Sequence, residues 1–364
     1  MISQTPFGNI PTNPTNFSTI PTINQPFPAI VPVQPRTTAE LNAASIGILG
    51  HSFQNQTPSM MTWNLDVQHQ LSSSLMGEIA YAGSHSIHLL YAYNPNEVLP
   101  GTGSTVSRRI PQPIANISSY TQADPRNSST YNGLSGKLEK RFSSGLQFMG
   151  AYTFSKNLDY GGSAASGGGA VGNPQTVTNL TAGRGPSGFD VKHRFVANYL
   201  YELPFGKGKR LVNHGPLAWV AGRWSLNGIT TLQTGRPFSV SLVTGVNNGA
   251  PSWPNRIGPG TLSNPDRALW LNPADFAAPS PNTYGNAARG VLYGPGQVNL
   301  DLSFVKNNVI RDRYNVQFRL DTFNLTNTPF FGFPNAAIGS PTVGQITATN
   351  TDSRDLQLAL KLTF

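Results

Sequence analysis

Cysteine is absent from the 364 residues, which excludes a disulfide framework and any thiolate metal site. Charge is scarce: Asp, Glu, Lys and Arg make up 11% of the chain, against about 25% in ordinary globular domains. Ser, Thr, Asn and Gln take up the difference. No apolar run approaches the ~20 residues of a membrane-spanning helix. The opening MISQTPFGNIPTNPTNF has no basic start and no apolar segment, so no signal peptide is expected. Catalytic signatures are also missing. There is no HExxH and no GxSxG nucleophile elbow. GGGAVGNP (167–174) lacks the Lys-Ser/Thr of a phosphate loop, and GRGPSG (183–188) has no strand before it and no helix after it. The expectation is no enzyme and no cofactor.

What is present begins with a net charge of +9 and a pI near 9.8. The basic residues are scattered singly, which argues against nucleic acid. The densest cluster is GKGKR at 206–210, beside a turn. Attraction to anionic lipid headgroups accounts for the excess equally well. Residues 1–40 are rich in Pro, Thr and Asn and read as an irregular loop, and 37–49 is a candidate for a short helix.

From there the pattern has a period of two, the mark of strands with different surroundings on each face. TWNLDVQHQL (62–71) sets Trp63, Leu65 and Val67 against Asn64, Asp66 and Gln68. The same alternation runs through 75–83, 134–142, 146–155, 192–203, 223–235, 298–306 and 314–325, with 236–242 a possible extension and 88–94 a strand end. The closing RDLQLALKLTF sets Leu356, Leu358, Leu360, Leu362 and Phe364 against Gln357, Ala359, Lys361 and Thr363. This makes about ten strands, each near the 9–11 residues that cross a tilted bilayer.

The connections alternate. Those near residues 72–74, 143–145 and 307–313 are short and 204–222 is medium, whereas 84–130, 156–187, 243–297 and 326–353 are long. Loops beyond ~12–15 residues are uncommon in compact domains. A transmembrane antiparallel β-barrel has this arrangement, with tight periplasmic turns and long extracellular loops. The C-terminus then falls on the periplasmic side. The 161–175 stretch reads as a flexible Gly/Ser/Ala segment, and NPADFAA holds one helical turn capped by Asn272, with Pro273 first. Trp63, Tyr81, Tyr152, Phe154, Tyr199, Tyr201, Trp224 and Phe364 suit bilayer interfaces. Asp66, Glu78, Glu139, Asp301, Arg319 and Asp321 are expected to face the lumen and pair there or meet water. His85 and His88 (HSIH) read as a polar loop end rather than a metal pair, and no metal site is expected.

The stretches TWNLDVQHQLSSSLMGEIAYAGS, YNGLSGKLEKRFSSGLQFMGAYTFSKNLD, FDVKHRFVANYLYELPFGKGKRL, WSLNGITTLQTGRPFSV and DTFNLTNTPFFGFPN resemble the C-terminal part of TonB-dependent receptors of the Oar-like group. The resemblance covers about residues 58–364. It implies an all-β fold, roughly the last ten strands of a 22-stranded barrel, located in the outer membrane of a Gram-negative bacterium. Residues 1–57 are then an irregular segment like an extracellular loop. The parent function is energised uptake of a large solute that the sequence does not identify. The alternative is a structural or adhesive outer-membrane protein whose long loops bind a surface partner. The aromatic-ended last strand, Leu356 to Phe364, resembles the signal by which such barrels are inserted. The implied partners are outer-membrane lipid and the barrel-assembly machinery, with TonB reached only through a plug. Neither a plug nor a regulatory-like β-sandwich is recognisable here, so the chain is expected to be a fragment of a receptor.

Overall fold

The computed structural model describes residues 47–51, 56–95, 97–103, 119–161, 171–244, 252–310 and 314–364. One eleven-stranded sheet dominates it. In chain order its strands are β1 (Gly47–His51), β2 (Ser59–Ser72), β3 (Leu75–Tyr93), β4 (Ser119–Ser143), β5 (Leu146–Asp159), β6 (Gly185–Pro186), β7 (His193–Glu202), β8 (Trp224–Gln233), β9 (Gln297–Ile310), β10 (Tyr314–Phe323) and β11 (Asp355–Thr363).

Nine long strands form an antiparallel meander in the order β11-β10-β9-β8-β7-β5-β4-β3-β2, each beside its neighbour in sequence. β1 adds in parallel to the start of β4, and β6 pairs with the end of β5. Among the described residues β2 and β11 each have a partner on one side only. The β4–β5 hairpin closes over Ser144 and Gly145, at φ 54 and 80. Two left-handed residues are what a tight turn needs to match the right-handed twist of its strands. Asn315 faces Thr363 across β10 and β11, so the chain ends at the end of the sheet that carries the short turns, as the strand parity predicts.

Register converts the alternation of single strands into continuous faces, because directly paired residues share a side. One row runs Val67, Ile79, Gly136, Tyr152, Phe195, Leu232, Val298 across β2 to β9. A second, nearer the short turns, runs Leu146, Tyr201, Leu226, Phe304, Leu320, Leu358 across β5 to β11. The opposite face carries Gln68, Glu78 and Lys137 side by side, then Asn299, Asp301, Ser303, Arg319 and Asp321. Among the described residues no second layer covers the apolar face. Leu65, Val67, Ile79, Leu134 and Leu360 all lie exposed on it.

Several sequence expectations need correction. Strands β3 and β4 are 19 and 25 residues long, so both ends of the loop expected over 84–130, residues 84–93 and 119–130, are strand. His85 and His88 accordingly sit inside β3 rather than in a loop. Residues 236–242 do not extend β8. Pro237–Phe238 pairs with Leu292–Tyr293, and Ser241–Leu242 with Ala337–Ile338. Of the candidate helix over 37–49, Gly47–Leu49 belong to β1, and the rest lies outside the described residues. So do residues 162–170 of the Gly/Ser/Ala stretch. The medium link between β7 and β8 contains a helix, α1 (Gly215–Ala221). The capped turn at NPADFAA is a 3-10 turn, Pro273–Asp275, in which the Asn272 side chain accepts from the Ala274 amide at 3.3 Å.

The long connections gather at the other end of the sheet. There Phe238, Val240, Leu271, Phe276 and Leu292 form a buried cluster, flanked by Trp270, Phe333 and Ile338. This small core belongs to the loops alone. Among the described residues the sheet has no second layer from which to build one.

Candidate functional site

Three surfaces have the chemistry for function: the apolar wall, the polar wall behind it, and the loop layer on top.

The apolar wall carries aromatic side chains near both ends. Toward the loops, Trp63 Nε1 donates to Tyr81 Oη at 3.5 Å and Tyr81 Oη to Asn132 Oδ1 at 2.7 Å. Tyr152 Oη lies 2.7 Å from His193 Nδ1, and Phe154 packs on the same imidazole. Toward the short turns, Tyr201 is joined by Trp224, whose ring meets Phe318 edge to face at 6.1 Å between centroids. The eight residue steps from His193 to Tyr201 span ~26 Å along the strand, or about 20 Å once tilted, close to the apolar band of an outer-membrane barrel. Rings with an apolar body and a polar tip favour the two edges of such a band. Two of them need glycine partners. The indole of Trp63 lies over Gly83, and the ring of Tyr199 over Gly228, where a Cβ would meet ring atoms at 2.2 and 2.4 Å.

The polar wall pairs its own charges, as expected for a wet interior. Glu78 forms an ion pair with Lys137 at 2.5 Å and accepts from Gln68 Nε2 at 3.2 Å. Arg319 Nε donates to Asp321 at 2.7 Å. Asp301 accepts from Asn299 Nδ2 and from the Asn324 amide. Sequence spacing brings these residues to one face, and the register brings Glu78 to Lys137.

Buried polar contacts tie the loop layer together, and sequence reading missed most of them. Arg289 is fully buried. It ion-pairs with Asp159 and donates to the carbonyls of Gly183 and Gly185 at 2.8 and 3.0 Å. Burial pushes its pKa down, and the adjacent Asp159 carboxylate opposes that push. Glu97 accepts from Tyr284 Oη at 2.8 Å, from the Val177 amide at 2.8 Å and from Thr176 Oγ1 at 3.2 Å. Burial, reinforced by the Glu97 bond, holds the Tyr284 phenol up at about 12. Gln175 bridges Gly285 and the Trp253 amide. Asp190 receives Lys156 at 2.6 Å, the Asn157 amide at 2.7 Å and Tyr293 Oη at 3.3 Å. The partners are up to 187 residues apart in sequence, which is why no local motif announced them.

His85 Nδ1 lies 3.0 Å from Thr130 Oγ1, and His88 takes φ 58 where the β3–β4 register slips. Among the described residues no group of three His, Cys, Asp or Glu side chains converges as metal ligands would. Leu356, Leu358, Leu360 and Leu362 stand in β11 in line with Thr322, Leu320, Phe318 and Val316 of β10. Phe364 follows just beyond the strand and is exposed. The leucines therefore continue the apolar wall to the sheet's last strand.

The chain resembles several solved outer-membrane proteins in shape, at low sequence identity. The outer membrane transporter YddB from Escherichia coli matches at 8% identity and TM-score 0.49, over 87% of this chain and 34% of that one. The FrpB iron transporter from Neisseria meningitidis (F3-3 variant) matches at 11% and 0.41, over 86% and 32%. The ferric preacinetobactin receptor BauA from Acinetobacter baumannii matches at 10% and 0.39, over 83% and 29%. The chain thus spans about a third of the length of these structures. No curated protein matches it. A family model described as an outer membrane beta barrel domain matches residues 1–357. An apolar wall with an aromatic band at each end, a self-paired polar wall behind it and long loops gathered at one end are what that family requires, and the chain belongs to the outer membrane beta barrel domain family.

Proposed function

We propose that this outer-membrane sheet is the C-terminal barrel portion of a TonB-dependent receptor, and that the receptor takes up a large solute by energised transport. The observation that carries the reading is the loop layer. A packed core and the buried Arg289–Asp159 pair tie described segments of these loops to one another, as a preformed rim around an entry path needs. The sequence resemblance to Oar-like receptors supports it. In this reading TonB acts through a plug.

A deletion of the gene in its native host tests this, with growth measured on limiting iron, glycan or peptide. The expected result is loss of uptake of one solute class, reproduced by de-energising the inner membrane. Uptake unchanged across the panel would overturn transport. It would favour the second reading, a structural or adhesive barrel, for which the same preformed loop layer would serve as a binding face.

In the same reading Leu356, Leu358, Leu360, Leu362 and Phe364 form the strand that the barrel-assembly machinery recognises. Removing Phe364 should slow the appearance of heat-modifiable, folded protein in pulse–chase gels while leaving synthesis unchanged. Assembly at the parent rate would remove that role.

A further inference from the structure

The β7–β8 connection is the exception among the short-turn-end links. It is long enough to fold, and it folds against the apolar wall. Phe205 bridges to Leu211, and Gly206 and Gly222 approach so closely that a Cβ on Gly206 would lie 2.5 Å from the Gly222 Cα. Helix α1 follows, with Ala218 buried and Leu217, Trp219 and Val220 exposed. Lys306 fixes it in place. This lysine stands on the apolar face, directly paired with Trp224, and is only 8% exposed. Its Nζ donates to the carbonyls of Trp219, Val220 and Gly222 at 2.9, 2.8 and 2.8 Å. The ammonium lies 5.8 and 5.4 Å from the ring centres of Trp219 and Trp224. Trp224 Nε1 donates to the Val220 carbonyl at 3.0 Å. A cation that satisfies the last carbonyls of a helix and lies between two indoles is a specific fastening. It holds α1 on the side of the wall that faces lipid.

Charge completes the arrangement. Lys207, Lys209, Arg210 and Arg223 are all exposed around the helix, and residues 203–224 include no Asp or Glu. Lys209 pairs with Glu202 at 2.8 Å, and among the described residues Lys207, Arg210 and Arg223 form no ion pair. Exposed Leu, Trp and Val beside basic side chains, at the boundary of an apolar belt, match the surface of a bilayer carrying anionic headgroups.

We propose that residues 203–223 are an interfacial anchor: α1 inserts Leu217, Trp219 and Val220 into the leaflet at the short-turn end, and Lys207, Arg210 and Arg223 bind the phosphates of anionic phospholipids there. The proposal rests on the membrane assignment of the sheet, not on the transport reading.

The absence of native cysteine makes a spin-label test direct. Leu217→Cys, Leu138→Cys on the apolar wall and Ile257→Cys in the loop layer are each labelled in the full chain. Each is folded into vesicles of phosphatidylcholine with or without phosphatidylglycerol, and folding is checked by heat-modifiable gel mobility. The expected result is a Leu217 label reached by oxygen but not by a water-soluble nickel chelate, like Leu138 and unlike Ile257. Spin-labelled phosphatidylglycerol should be preferred over phosphatidylcholine, and K207Q/R210Q/R223Q should weaken that preference by up to about fivefold per charge removed. A Leu217 label in water while Leu138 reads lipid would overturn the anchor alone. Both labels in water would overturn the wall assignment as well. A Leu217 label shielded from both reagents would mean a protein contact there, and an unchanged lipid preference in the triple variant would remove the headgroup role.

Discussion

Arg289 shows what one residue does for the loop layer. It is buried, charged and shared between Asp159 and two carbonyls of a different loop. Truncating it leaves the Asp159 carboxylate buried without its counter-charge, a change that typically costs about 3–5 kcal/mol. Arg289→Ala should therefore raise hydrogen exchange across 171–192 and 285–296 while leaving the wall strands β7 to β10 protected. Uniform loss of protection would mean that the pair supports the whole sheet. Tyr284 gives a pH signature. Its pKa is about 12 in the folded chain against an ordinary value of 10, so the folded state holds this proton more tightly than the unfolded one. The corresponding stability is complete below pH ~10 and is lost as the pH rises toward ~12. Loop-layer exchange should accelerate in that window, and Tyr284→Phe should flatten the response. Neither residue was singled out from sequence. Arg289 (AARGV) and Glu97 (NPNEVL) are each the only charged residue of their stretch, and their partners come from loops 79 to 187 residues away.

At the scale of elements, β11 offers a comparison in which composition is constant and only the face changes. Leu360 and Ala359 are neighbours, and both are exposed where, among the described residues, no further strand pairs with β11. In a bilayer they part company. Leu360→Arg places a charge among the lipid tails and should cost about 2–4 kcal/mol in reversible folding into bilayers, whereas Ala359→Arg on the wet face should cost little. Equal effects would contradict the assignment of faces. The strands were the most legible part of the sequence, because one oily and one wet side force an apolar residue at every second position. The upper halves of β3 and β4 were not. TQADPRNSSTYNG (121–133) is polar on both sides, and a strand surrounded by similar polarity on both faces has no period to read. Helix α1 was hidden for a different reason. Seven residues give barely two turns, and the only signals were Pro216 near its start and the Leu217, Trp219, Val220 group.

For the whole molecule, the two ends of the sheet differ in kind. One end has tight turns, the chain terminus and the α1 connection; the other has a folded loop layer. A membrane-impermeant maleimide should label Ile257→Cys on intact cells and Asn213→Cys only after the outer membrane is opened. The reverse pattern would invert the orientation. Loop lengths alone made this polarity readable in advance. What lengths could not convey is that Phe238, Leu271, Phe276 and Leu292 meet in a core of their own, since they follow no repeat and lie in a stretch read as a possible strand extension and in a long loop.

The 25 residues of β4 amount to about 80 Å of extended chain, and a bilayer needs only the lower ten or so. With its partner β3, the remainder stands clear of the membrane like a mast. Any visitor arriving from outside therefore touches protein tens of ångströms before it reaches the lipid surface.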